Sequence, residues 1–97
     1  MKTLQFRETI QVGGFPVDKI GLGMFGQERS IQITVNGECH AGFAPLHHLN
    51  IERMLVEAWI VADTADGWLV RLPPACEMLS GEQFVLRPEE QDRFILM

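Results

Sequence analysis

Gly21-Leu22-Gly23-Met24-Phe25-Gly26 spells G-x-G-x-x-G. That spacing binds phosphate when the glycines close a strand and open a helix whose N-terminal amides face the anion. The flanking residues deny both chemistries that the pattern suggests. Gln27-Glu28-Arg29-Ser30 leads straight into Ile31-Gln32-Ile33-Thr34-Val35, whose apolar and polar residues alternate as in a strand. Four residues cannot form the crossover helix of a dinucleotide fold, which takes about a dozen. Glu38 stands where a ribose-binding acid would lie, but without that helix the match is accidental. A kinase-type glycine loop does sit between strands and often carries Phe before its last glycine, as Phe25 does here. It also needs a lysine on a later strand. The lysines here are Lys2 and Lys19, both upstream, and neither H-R-D nor D-F-G follows. The segment therefore reads as a tight turn between strands, with Leu22, Met24 and Phe25 as core plugs or as an exposed apolar tip.

Cys39, His40, His47, His48 and the distant Cys76 are the second set of residues with chemical potential. Zinc takes three or four such ligands converging at ~2.0–2.3 Å, usually with two supplied as a spaced pair such as C-x2-C. Their arrangement depends on the hairpin at Val35-Asn36-Gly37. A three-residue loop sets Ile33 opposite Cys39, Ile31 opposite Ala41, Thr34 opposite Glu38 and Gln32 opposite His40. That register separates apolar from polar residues, and it is preferred over a two-residue Asn36-Gly37 loop, which mixes the faces. It buries Cys39, exposes His40 and keeps the two from sharing an ion. His40, His47 and His48 remain weak metal candidates, and no cofactor is implied. A buried, unactivated Cys39 makes a poor nucleophile. Glu8 interrupts the apolar face of the first strand. Such a carboxylate would gain acid or base potential if desolvated, but more commonly sits at a bulge or rim.

These residues are carried by a chain of 97 amino acids, 46% hydrophobic and 22% charged, a composition typical of one small globular domain spanning residues 1–97. A domain of this size buries roughly 60–68% of its unfolded surface around one modest core. No apolar run reaches the ~18 residues of a membrane helix, and the opening residues alternate where a signal peptide would be continuously apolar. Two cysteines are too few for a disulfide scaffold, so a cytoplasmic protein is expected. The net charge is −5. Residues 1–49 are neutral, and residues 50–97 carry nine acids against Arg53, Arg71, Arg87 and Arg93. No basic footprint exists for nucleic acid. The acidic half, including Glu89, Glu90 and Asp92, suits either a solvated surface or a basic groove on another protein.

Positioning these residues falls mainly to strands. Thr3 to Val12 alternates and is closed by Gly13-Gly14. Ile51, Met54, Leu55, Ala58, Trp59 and Ala62 fit helical spacing with Asn50 as N-cap, but Trp59-Ile60-Val61 looks like a buried strand, so a short helical turn near 46–53 followed by a strand near 54–62 is expected. Asp63 to Gly67 forms a loop, and Trp68 to Leu72 returns. Trp59 and Trp68 anchor that pair in the core. Pro73-Pro74 breaks the sheet, Leu79 to Glu82 turns, and Gln83 begins another strand. Arg93 to Met97 suits a further strand, although a helix opening at Pro88 would place Glu89 and Glu90 well in its first turn.

Together these features predict a mainly β fold: a small antiparallel barrel or sandwich of six to seven short strands with one short helix, or alternatively an α+β fold. The expected function is a non-catalytic protein-binding module, such as an adaptor, subunit or inhibitor of the kind carried by phages and mobile elements. It would bind through Leu22, Met24 and Phe25, through Glu89, Glu90 and Asp92, or as a homodimer through an edge strand. Membrane and direct nucleic-acid partners are not expected. A small-ligand or metal-binding barrel using its histidines is the alternative, and a hydrolase or isomerase with Glu8 or a histidine as base has no specific spacing in its favour.

Overall fold

The computed structural model describes residues 11–96. Expectations for Thr3 to Ile10, including Glu8, lie outside the described residues. Ten strands occur among them: β1 (Gln11–Pro16), β2 (Lys19–Leu22), β3 (Glu28–Val35), β4 (Glu38–Pro45), β5 (Leu49–Asn50), β6 (Leu55–Thr64), β7 (Gly67–Arg71), β8 (Glu77–Met78), β9 (Gln83–Leu86) and β10 (Ile95–Leu96). Seven have four residues or more. Two 3-10 turns, Leu46–His48 and Pro88–Arg93, are the helical elements of this region. The fold is mainly β, as the alternating patterns require.

Among the described residues the strands form two antiparallel sheets and no closed barrel. Sheet A runs β10-β1-β6-β7-β9 with β5 also on β6, and sheet B runs β2-β3-β4-β8. One core lies between them. Sheet A contributes Phe15, Val56, Ala58, Ile60, Trp68, Val70 and Leu86, and sheet B faces them with Ile31, Ile33, Val35 and Ala44. Phe94 enters from the end of the second 3-10 turn and meets Trp68 edge-on at 6.4 Å. Arg93 clips the sheets together: its guanidinium lies 4.9 Å from the Phe15 ring centroid and donates to the Thr34 carbonyl on β3.

Several local expectations are corrected by packing. Gly13-Gly14 does not end the first strand but lies within β1, paired with both β6 and β10. A Cβ at Gly13 would stand 2.1 Å from the Ile95 carbonyl oxygen and 2.5 Å from the Phe94 ring, so glycine here admits a neighbour rather than breaking a strand. The hairpin adopts the two-residue Asn36-Gly37 loop, with Val35 opposite Glu38 and Ile33 opposite His40. Asn36 and Gly37 both have positive φ, 51° and 85°, which matches the twist of a tight hairpin. Asn36 is further fixed by donating to Val85 O and accepting from Arg87 N–H, contacts across 49 and 51 residues that no local pattern reveals. The helical segment near 46–53 shrinks to the Leu46–His48 turn, and the Asp63–Gly67 loop tightens to Ala65-Asp66. Trp68 is buried, whereas Trp59 lies half-buried on the outer face of sheet A. The C-terminal region combines both expectations, with a 3-10 turn opening at Pro88 followed by a two-residue strand on β1.

Candidate functional site

The segment joining β2 to β3 carries three large apolar side chains into solvent: Leu22 is 87% exposed, Met24 75% and Phe25 72%. Its backbone is nonetheless closed. The Glu28 carboxylate accepts the Met24 N–H at 3.1 Å, and the Glu28 N–H donates to Phe25 O at 3.2 Å. The Arg29 guanidinium donates to Gly26 O at 3.1 Å and to Glu28 O at 2.8 Å. Leu46 N–H donates to Gln27 O, seating the loop against the 3-10 turn that follows β4. Of the two sequence readings, core plug or exposed tip, the second is what forms. The Met24 amide, which a phosphate-binding loop would offer to an anion, donates instead to the Glu28 carboxylate, whose negative charge also disfavours an anion at the loop.

The acidic residues named from the sequence lie elsewhere. Glu89 and Asp92 are exposed on the Pro88–Arg93 turn, while Glu90 is half-buried and pairs with Arg93 at 3.3 Å. That turn packs beside the Asn36-Gly37 and Ala65-Asp66 hairpins, so Glu38, Asp63 and Asp66 join the same end of the molecule. Arg93 reaches Thr34 near the C-terminal end of β3, whereas the apolar tip adjoins Glu28 at its start. Eight strand residues span about 24 Å. Leu22, Met24 and Phe25 therefore do not share a compact surface with Glu89, Glu90 and Asp92.

The histidines separate as well. Cys39 is exposed and His40 half-buried, which reverses the sequence assignment because the hairpin register shifts by one. His40 Nδ1 lies 2.5 Å from Ser80 Oγ. This resembles a nucleophile and its base, but Gly81 N–H, beside Ser80, donates to Met78 O and so is not free to stabilise an oxyanion. The His47 and His48 rings lie 4.1 Å apart, and His48 Nδ1 is 3.1 Å from Glu57 Oε1. Among the described residues, no three His, Cys, Asp or Glu side chains converge as metal ligands would. Cys76 is buried, and burial, aided by the Glu57 and Glu82 carboxylates, pushes its thiol up from 9.0 to about 11. It is an unreactive core thiol at neutral pH.

Glu57, Arg53, Asn50 and Ser80 were not among the site residues expected from the sequence. Glu57 lies between Val56 and Ala58 in the strand expected near 54–62, so its outward position was legible, whereas its hydrogen bonds to His48 and Trp59 were not. Comparison with protein-family models, with curated proteins and with solved structures found no match to this chain. No helix among the described residues is long and apolar enough to cross a membrane.

Proposed function

We propose that the protein is a non-catalytic binding module whose Leu22-Met24-Phe25 tip inserts into an apolar pocket on another protein. One observation carries this reading: three large apolar side chains are held in solvent by a loop whose own backbone is hydrogen-bonded shut. Contiguous exposed apolar groups mark interaction sites, and an ordered loop loses little entropy when it docks. Burying three such side chains is worth roughly 5–9 kcal/mol gross, and association itself costs several kcal/mol. The interface must therefore extend beyond the tip. β2 offers that extension: it is the edge of sheet B, pairs among the described residues only with β3, and ends at Leu22. A partner segment adding as a strand along β2 would arrive at the tip. A protein occupant is favoured over an anionic lipid surface because the chain carries a net charge of −5. Free Cys39 and Cys76 suit a reducing compartment such as the cytoplasm.

The test is a Met24→Ser, Phe25→Ser double variant, compared with the parent for partner recovery from the native host and for thermal stability. Loss of a stoichiometric partner at unchanged stability is expected. Retained partner binding, or binding to lipid vesicles in place of a protein, would contradict the reading.

A further inference from the structure

The outer face of sheet A carries a site independent of the tip. Strand alternation turns Val12, Gly14, Leu55, Glu57 and Trp59 away from the core. Gly14 brings no side chain, and a groove of about 180 Å³ lies over it, flanked by Val12, Leu55 and Glu57. The chain between β4 and β6 crosses beside this groove and places His48, Asn50 and Arg53 along it.

The polar groups have distinct remaining capacities. Glu57 is engaged at both oxygens, by His48 Nδ1 at 3.1 Å and by Trp59 Nε1–H at 2.9 Å. A carboxylate only accepts, so Nδ1 carries a proton toward Glu57, and Nε2 is the ring atom left to face a ligand, an acceptor in the neutral imidazole. Asn50 Oδ1 accepts the Arg53 N–H at 3.0 Å, which leaves the Asn50 amide group as a donor. Arg53 is exposed, and among the described residues its guanidinium makes no hydrogen bond or ion pair. Apolar walls, a planar cation and a fixed imidazole acceptor complement one type of molecule: a carboxylate for the Arg53 fork, a hydroxyl to donate to His48, and a compact apolar body between them. A volume of about 180 Å³ is of the size that takes one ring or a short chain.

We propose that this groove binds a small hydroxylated organic acid, with Arg53 holding the carboxylate and His48 Nε2 accepting from the hydroxyl. The test is an amide-resolved NMR titration of the full chain with 4-hydroxybenzoate, with benzoate lacking the hydroxyl, and with 4-hydroxybenzyl alcohol lacking the carboxylate. Saturable shifts confined to residues 12–14 and 48–57 are expected in the millimolar range or below, with the alcohol weaker by about tenfold. Arg53→Gln, a surface change, should weaken 4-hydroxybenzoate by about tenfold. Gly14→Ala should weaken it too, because the new Cβ would occupy the floor 3.3 Å from the Leu55 side chain. Absence of saturable shifts up to about 10 mM, equal binding of the alcohol, or an unaltered Arg53→Gln titration would overturn the proposal. The Met24→Ser, Phe25→Ser variant should titrate like the parent; loss of binding there would move the ligand to the tip and overturn the groove assignment.

Discussion

The two ends of β3 differ in how their side chains are engaged. At the Asn36 end the turn is tied to the rest of the protein: Glu90 pairs with Arg93, Arg93 holds Thr34 and Phe15, and Gln91 is buried. At the Glu28 end the backbone is satisfied, while Leu22, Met24 and Phe25 touch little of their own chain. The acidic turn is thus part of the fold's closure, and the apolar tip is the element available to something else. The sequence offered both the apolar tip and the acidic residues as contacts, and Glu90 belongs to the end that stabilises.

Substitutions at each end should therefore separate affinity from stability. The largest effect is expected for Met24→Ser with Phe25→Ser, about 100-fold in partner affinity by calorimetry, with a stability change within about 0.5 kcal/mol. Arg93→Ala should do the opposite. Losing the Thr34 contact, the Phe15 contact and the Glu90 partner should cost about 2 kcal/mol in denaturant unfolding and leave partner affinity unchanged. Glu28→Gln keeps the shape of the loop lock but removes its charge. It should lower affinity about threefold and stability by less than about 1 kcal/mol, measured on the same two assays. The smallest effect belongs to Glu89→Gln with Asp92→Asn, both exposed: about twofold or less in association rate, and only at low salt. A large affinity loss there would erase the distinction between the ends.

The cysteines extend the contrast between surface and core. Exposed Cys39 should react with a thiol reagent at once at pH 8, and buried Cys76 only on unfolding. Because the folded Cys76 thiol is held near 11, above its ordinary 9.0, the folded state retains this proton more tightly than the unfolded chain. The corresponding stability is complete below about pH 9 and is lost as pH rises through about 11, which unfolding monitored across that window would show.

The strands were legible where one face alternates, as along Ile31 to Val35, and so was the glycine-flanked turn that becomes the tip. Register was not. Sorting apolar from polar residues favoured burying Cys39, but the inner face of β4 accommodates His40, Gly42 and Ala44, and long-range bonds to Asn36 hold the tight turn. Gly13-Gly14 resembled a terminator because the Phe94 ring and the Ile95 carbonyl that require it come from the far end of the chain. The same distance hid the separation between the tip and Glu89, Glu90 and Asp92, since nothing local places the second 3-10 turn beside Thr34. The groove around His48 and Glu57 needed the path from β4 to β6, where the sequence suggested a longer helical turn.

The most direct measurement is a native mass spectrum of untagged protein from its own host, recorded alongside the Met24→Ser, Phe25→Ser variant. A stoichiometric protein partner on the parent and a bare, folded variant is the predicted pair of spectra. A bare parent chain, or a partner retained equally by both, would contradict the assignment of the tip as the binding site.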